Sequence, residues 1–346
     1  MKIIHIIYCM RVGGAQTMLI DILNEQCKSN AVHLVIVNKD YDNVLLSEID
    51  SKVVVHKINR PVGSKNIYWI LKLNFLLYRL LPDIIHLHNS SIIKLLFFQQ
   101  SPTLLTVHAT GLESKYYSLF DRLVAISDSV KDDIYTKSGF QSVVITNGIV
   151  VNKIKCGAKY NSTKFKILQV SRLEEIKGQD ILIEAISLLK KKNYSVCVDF
   201  IGEGSFESRL KQLVVNLHLE DEVNFIGLKT RQYIYENLCQ YDLFVQPSRF
   251  EGFGLTIAEA LAAEIPVLVS NIAGPLEVIG NGNYGSSFEC GNPSDCANKI
   301  EEFITMKKHF NYSHNRKYVE TCYDIKITTD KYFKLYLELL NGHDRK

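Results

Sequence analysis

The run Pro247-Ser248-Arg249-Phe250-Glu251-Gly252-Phe253-Gly254-Leu255-Thr256-Ile257-Ala258-Glu259-Ala260 carries more of the fold than any other stretch. It follows an apolar, strand-like segment at 242–246 and leads into a helical pattern at 256–263. A strand, a glycine-bearing turn and a helix in that order are part of a βαβ unit. Ligands of an open α/β sheet bind at the carboxyl ends of its strands. Gly252 and Gly254 let backbone N–H groups close on a ligand, and the helix start adds partial positive charge. Together they make a phosphate cradle. Glu251 and Glu259 flank it. A carboxylate beside phosphate is unfavourable unless it takes something else, such as sugar hydroxyl donors. Thr256-x-x-Glu259 also reads as a capping box, which alone accounts for Glu259. Glu251 lies in the loop before the helix and has no such account.

The same alternation runs outward from this stretch. Strands are expected at 165–170, 195–201, 222–226, 242–246 and 265–270, with helices at 178–192, 206–217, 230–240, 256–263 and 295–307. Towards the N-terminus, strands are expected at 2–8, 31–37, 52–58, 83–88, 103–108, 122–126 and 142–145, with helical patterns between most of them. Continuous rather than alternating apolar strands imply sheets covered on both faces, and strand–helix alternation implies parallel βαβ units. The expected fold is α/β, with two Rossmann-like, doubly wound parallel-sheet domains. The length of 346 residues suits two domains. Asn147-Gly148 is a turn signal, and a polar stretch from Asn152 to Thr163 follows. The boundaries are therefore set at 1–155 and 160–325. The segment 326–346 holds an amphipathic helical pattern, expected to cross back to the first domain.

Ser171-Arg172-Leu173-Glu174-Glu175-Ile176-Lys177-Gly178 follows the strand at 165–170 and again precedes a helix. Arg172, as a fork, and Lys177, as a point charge, can converge on one diphosphate; the plain alternative is two exposed loop cations. Gly13-Gly14 after the first strand permits close backbone approach, and Ile201-Gly202-Glu203-Gly204 is a similar turn. Neither is a dinucleotide fingerprint, because the third glycine of GxGxxG is missing. His108 ends its strand at the edge where ligands gather and can donate a hydrogen bond or move a proton; the alternative is a structural role. His86 and His88 alternate along a strand. They are expected to face opposite sides of the sheet, and no His/Asp/Glu cluster is expected to have metal spacing.

Composition narrows the class. Hydrophobic residues make up 47% and charged residues 22%, with seven prolines and no low-complexity tract, which argues against disorder and coiled coil. The eight cysteines are scattered without a CxxC pair, so a disulfide framework or zinc site is not expected and a reducing cytoplasm is. The net charge of +3 is uneven: residues 1–160 hold 18 Lys/Arg and 12 Asp/Glu, while residues 161–346 hold 22 and 25. A basic first half suggests an anionic partner, either a membrane surface or a phosphate-bearing substrate. From Lys65 to Leu81, Lys65, Lys72 and Arg79 recur every seven residues around Trp69 and a broad apolar face. The pattern fits a helix at a membrane interface and equally a core-facing helix whose basic side chains reach out to water.

With these motifs assembled, the sequence resembles the retaining glycosyltransferases of family 4. Glu251 and Glu259 match that family's paired glutamates. The stretch from Val170 to Gly178 matches its Arg/Lys diphosphate motif. Val12-Gly13-Gly14, Asp83-Ile84-Ile85-His86-Leu87-His88, Val124-Ala125-Ile126-Ser127 and Ile145-Thr146-Asn147-Gly148-Ile149 fall in the family's order. Gln16 departs from it, since many members carry Glu there. The resemblance implies a GT-B fold, two domains facing a cleft. It implies a hexose or N-acetylhexosamine moved from a nucleotide-diphosphate sugar, with UDP the expected carrier, to a glycan or lipid-linked glycan acceptor, as in capsule, O-antigen or lipopolysaccharide assembly. Arg172 and Lys177 would hold the diphosphate, Glu259 the ribose and Glu251 the transferred sugar. The backbone of Gly252, Phe253, Gly254 and Leu255 would cradle the distal phosphate, with Gly13, Gly14 and Gly202 also on the donor. His108 would face sugar and acceptor. No metal, cofactor or nucleic-acid partner is expected. The expected location is the cytoplasm, at the inner face of the membrane. Alternatives are a nucleotide-sugar 2-epimerase or a non-catalytic sugar-nucleotide-binding subunit.

Overall fold

The computed structural model describes residues 1–97, 100–156, 163–305 and 313–343. Part of the polar stretch expected between the domains, the end of the helix expected at 295–307 and the last three residues of the C-terminal segment lie outside them. The chain divides into two compact units, Met1–Ile149 with Ile325–Lys346, and Val150–Asp324. The sequence had placed the divisions at 155/160 and 325/326. Divided this way, the first unit carries 20 Lys/Arg against 15 Asp/Glu and the second 20 against 22, so the basic surplus stays with the first.

The first unit is built on β1 (Lys2–Ile7), β2 (Ala31–Asn38), β3 (Val54–Arg60), β4 (Ile84–Leu87), β5 (Thr103–Val107), β6 (Arg122–Ala125) and β7 (Val143–Val144). They form one parallel sheet in the order β3-β2-β1-β4-β5-β6-β7. Ile3, Ile4, Leu34, Val35, Ile84 and Leu104 on its strands have no solvent exposure, as expected where helices cover both faces. Helix Ile325–His343 belongs to this unit, and its N-terminal Ile325 N–H donates to Ile149 O at 2.9 Å.

The second unit holds β8 (Phe165–Val170), β9 (Val196–Ile201), β10 (Val223–Gly227), β11 (Leu243–Gln246), β12 (Val267–Ser270) and β13 (Ser286–Phe288), parallel in the order β10-β9-β8-β11-β12-β13. The sequence had supplied five of these. β13 was missed because three residues show no readable period, and helices Ala273–Val278 and Ser313–Cys322 were missed as well. In each sheet the strand order reverses beside the first strand of the unit, at β1/β4 and at β8/β11. Ligands of doubly wound sheets bind at such switch points.

The stretch from Lys65 to Leu81 forms helix Ile67–Leu80, capped by Asn66, so Lys65 lies outside it. Within this helix, burial reaches only Leu73 and Leu77, whereas Tyr68, Leu71, Phe75 and Tyr78 are more than half exposed and follow one another at three- and four-residue steps. The seven-residue basic stripe is not a free face. Lys72 Nζ donates to Ile58 O of β3 at 3.0 Å, and Arg79 lies over the Phe75 ring. The outward face is an apolar ridge with the cations along its border.

Candidate functional site

At the switch point of the second unit, the loops after β8 and β11 interlock. Arg249 N–H donates to Ile176 O at 2.8 Å. The Arg249 guanidinium grips both Asp180 carboxylate oxygens at 2.7 Å and also donates to Glu175 O. Such a fork fixes geometry as well as charge, and the neighbouring carboxylate raises the Arg249 pKa further. Sequence reasoning missed this clamp, although Arg249 stood inside the decisive stretch. Its signal is an arginine flanking the loop with an aspartate at the start of the facing helix.

The clamp holds Lys177 against Glu251, with Nζ 2.6 Å from Oε2 and both side chains less than a fifth exposed. Lys177 and Arg172 do not converge. Arg172 pairs with Glu174 at 2.6 Å and is mostly exposed. Lys177 has three donors, so its ammonium retains hydrogen-bonding capacity beyond Glu251.

Gly254 sits at φ +98°, a conformation that favours glycine, and stands at the N-cap of helix Leu255–Ala262 with no side-chain cap. The expected capping box is therefore absent. Thr256 lies inside the first turn, and Glu259 instead accepts from Tyr235 Oη at 2.9 Å, with Arg231 Nε 3.8 Å away. Only 6% of Glu259 is exposed. Phe253 is buried edge-on against Tyr323. Gly202 has φ +141°, and a Cβ there would stand 2.0 Å from Ser171 O, so only glycine lets the turn after β9 reach the Arg172 loop. Gly274 allows the same close approach to the Glu251–Gly252 backbone.

In the first unit, Gly13 precedes helix Gly14–Gln26 at extended φ, and a Cβ there would meet only the movable Gln16 amide. The histidines depart most from the sequence reading. Residues two apart on a strand share a face, so His86 and His88 stack at 4.5 Å instead of facing apart. His5 stands opposite His86 in the register of β1 and β4. Nitrogens of His5, His86 and His88 lie within 4.8 Å of one another, close enough to share an ion, so the expectation that no such cluster exists is overturned. In this structure both ring nitrogens of all three are taken by hydrogen bonds. His108, just past β5, joins them through His88, and its Nδ1 is buried with no hydrogen-bond partner among the described residues.

All eight cysteines are free. Among the described residues, no helix is long and apolar enough to cross a membrane.

The sequence profile of the group 1 glycosyl transferases matches residues 152–319, and that of glycosyltransferase family 4 matches residues 12–153. The capsular polysaccharide biosynthesis glycosyltransferase CapM of Staphylococcus aureus is 28% identical over 252 residues, 65% of this chain and 63% of CapM. An uncharacterised glycosyltransferase of Methanocaldococcus jannaschii is 26% identical over 60% of each chain. The chain thus spans about three fifths of the length of these relatives. Among solved structures, Anabaena HepE in complex with UDP and glucose superposes with a TM-score of 0.81 at 20% identity, over 97% of this chain and 99% of HepE. The two profiles meet at the boundary between the units and together span residues 12–319, so the chain belongs to the group 1, family 4 glycosyltransferases, and its two parallel-sheet units have the GT-B fold.

Proposed function

We propose that this chain is a retaining, metal-independent glycosyltransferase that moves a hexose or N-acetylhexosamine from a UDP-sugar to a glycan or lipid-linked glycan. The observation that carries the reading is the Lys177–Glu251 pair, clamped at a switch point beside an uncapped helix N-terminus. The names of CapM, a capsule transferase, and of HepE, bound to UDP and glucose, support the substrate class.

Breaking the bond between the anomeric carbon and phosphate oxygen puts negative charge on the departing diphosphate. Arg172, Lys177 and the N–H groups around Gly254 stabilise that charge, a duty that preorganised donors perform well in a water-poor site. The acceptor oxygen bonds to the same face of the anomeric carbon, and its proton passes to the leaving phosphate oxygen. Glu251 exchanges Lys177 for hydroxyls of the transferred sugar, and Glu259, held by Tyr235, takes the ribose hydroxyls. His108 meets a hydroxyl of sugar or acceptor. The exposed Tyr68–Tyr78 ridge, on the more basic unit, suits contact with the surface that carries a lipid-linked acceptor.

Transfer from a panel of nucleotide sugars, followed by anomeric analysis of the product, tests the reading. Glu251→Ala is expected to abolish turnover in a protein that keeps its circular dichroism, and a chelator is expected to leave wild-type turnover unchanged. Full turnover by the folded variant, or an inverted product, overturns it.

A further inference from the structure

The first unit contains a chain of buried hydrogen bonds whose direction decides what His108 offers. Gln26 Oε1 lies 2.8 Å from His5 Nε2, His5 Nδ1 lies 3.0 Å from His88 Nε2, and His88 Nδ1 lies 3.1 Å from His108 Nε2. The chain ends at His108 Nδ1, buried and without a hydrogen-bond partner among the described residues. At its other end, Gln26 Nε2 lies 3.3 Å from Tyr336 Oη on helix Ile325–His343. Tyr336 Oη is 2.7 Å from His86 Nδ1, and His86 Nε2 is 2.7 Å from Thr106 Oγ1.

A neutral imidazole has one donor nitrogen and one acceptor nitrogen. Burial keeps these rings neutral, lowering His5 and His108 to about 4 and His86 and His88 well below their ordinary value. Each bond therefore dictates the next. An amide oxygen can only accept, so His5 carries its proton on Nε2. His88 then donates from Nε2 to His5 Nδ1, and His108 donates from Nε2 to His88 Nδ1. His108 Nδ1 is left as a lone pair. In this orientation the Gln26 amide N–H donates to Tyr336 Oη, whose own proton goes to His86 Nδ1. Turning the Gln26 amide over would reverse every bond and leave an N–H at His108 Nδ1. Any mixture sets two donors or two acceptors face to face.

We propose that Gln26, His5 and His88 are positioning residues that fix His108 in its Nε2–H tautomer, so that Nδ1 accepts a hydrogen bond from a substrate hydroxyl. The identity of that hydroxyl, on a sugar or its acceptor, rests on the transferase reading above; the tautomer does not. A buried acceptor without a partner carries a desolvation penalty, which a hydroxyl donor removes on binding.

The test uses the full chain labelled with 15N-histidine. Long-range proton–nitrogen correlation spectra report each tautomer, with the His108 signals identified by their loss in His108→Gln. His108 is expected to show a bare Nδ1, and an Nδ1–H or averaged signal overturns the proposal. Gln26→Leu removes the terminal acceptor, and the near-isosteric Tyr336→Phe releases the Gln26 amide if the first variant folds poorly. Both are expected to mix the His108 tautomers, although Gln26 is three rings away, whereas Gln26→Glu keeps an acceptor and keeps the tautomer. Loss of thermal stability with an unmoved His108 tautomer overturns the relay. In transfer assays kcat is expected to fall roughly tenfold or more in the first two variants with the donor KM unchanged, and to recover in Gln26→Glu. A wild-type protein with the stated tautomer that transfers no sugar would refute the transferase reading and leave the relay standing.

Discussion

The switch points of the two sheets are polar in opposite ways. In the second unit the loops after β8 and β11 meet through full charges: Lys177 with Glu251, Arg249 with Asp180 and Arg231 near Glu259. In the first unit the polar groups sit on or just past the strands and on the last turn of helix Gly14–Gln26, and all of them are neutral: His5, His86, His88, His108, Thr106 and Gln26. Charge on partly wet loops can be exchanged for a charged ligand at modest cost. Neutral groups in a dry interior can keep order without attracting an ion. On the function proposed above, the charged loops would hold a diphosphate and the neutral cluster would aim a hydrogen bond.

The sharpest way to break this comparison is to remove charge from the second unit. Lys177→Ala is expected to lower kcat by roughly a hundredfold or more, because one preorganised donor to a developing anion is lost and Glu251 is left uncompensated. Stability measured by urea unfolding at pH 7 checks that the loss is not one of folding.

Acid tests the first unit instead. The folded pKa of His5 is about 4, below the unfolded value near 6.5, so the unfolded chain binds the extra proton between those values. Stability is therefore fully present above about pH 6.5 and falls as the pH drops towards 4, by on the order of 3 kcal/mol for His5 alone. Denaturant melts at pH 7 and pH 5 check the sign. His5→Gln is expected to flatten the dependence, and a dependence of equal slope in that variant would contradict the neutral interior.

A smaller effect is expected of Arg249→Ala. It removes the two-pronged grip on a partly exposed aspartate, which costs about 1 kcal/mol in stability and about tenfold in kcat/KM, as the facing loops lose register. The smallest change in stability, within about 0.5 kcal/mol, is expected on replacing Leu71, Phe75 and Tyr78 by Ser, because they are exposed. Sedimentation with anionic phospholipid vesicles is expected to fall in that variant. Unchanged sedimentation would remove the ridge from the membrane reading.

Much of the architecture was legible because buried parallel strands are apolar without interruption. Phe165–Val170 was placed to the residue, and the remaining long strands to within a few residues. Short elements such as Ser286–Phe288 leave no period to read. In the site, the glycines and charged residues of the two loops were visible as types, but their pairings were not. Nothing in the order of residues says that Lys177 meets Glu251, 74 positions away, instead of sharing an anion with Arg172. The histidines failed for a different reason. A period of two puts His86 and His88 on one face, not on opposite ones, and the partner that completes the cluster, His5, comes from another strand through register alone.

Helix Ile325–His343 has a consequence for how the chain matures on the ribosome. Residues 150–324 are one continuous segment and can fold as soon as they emerge. The first unit cannot finish, although its strands are made first. Until Tyr332 and Tyr336 arrive, His86, Thr106 and Gln26 lack the phenol groups they bond to in the finished protein. The earliest-synthesised half is thus the last to be sealed, which makes an incompletely translated chain easy to distinguish from a whole one: its second unit is folded and its histidine wire is open to water.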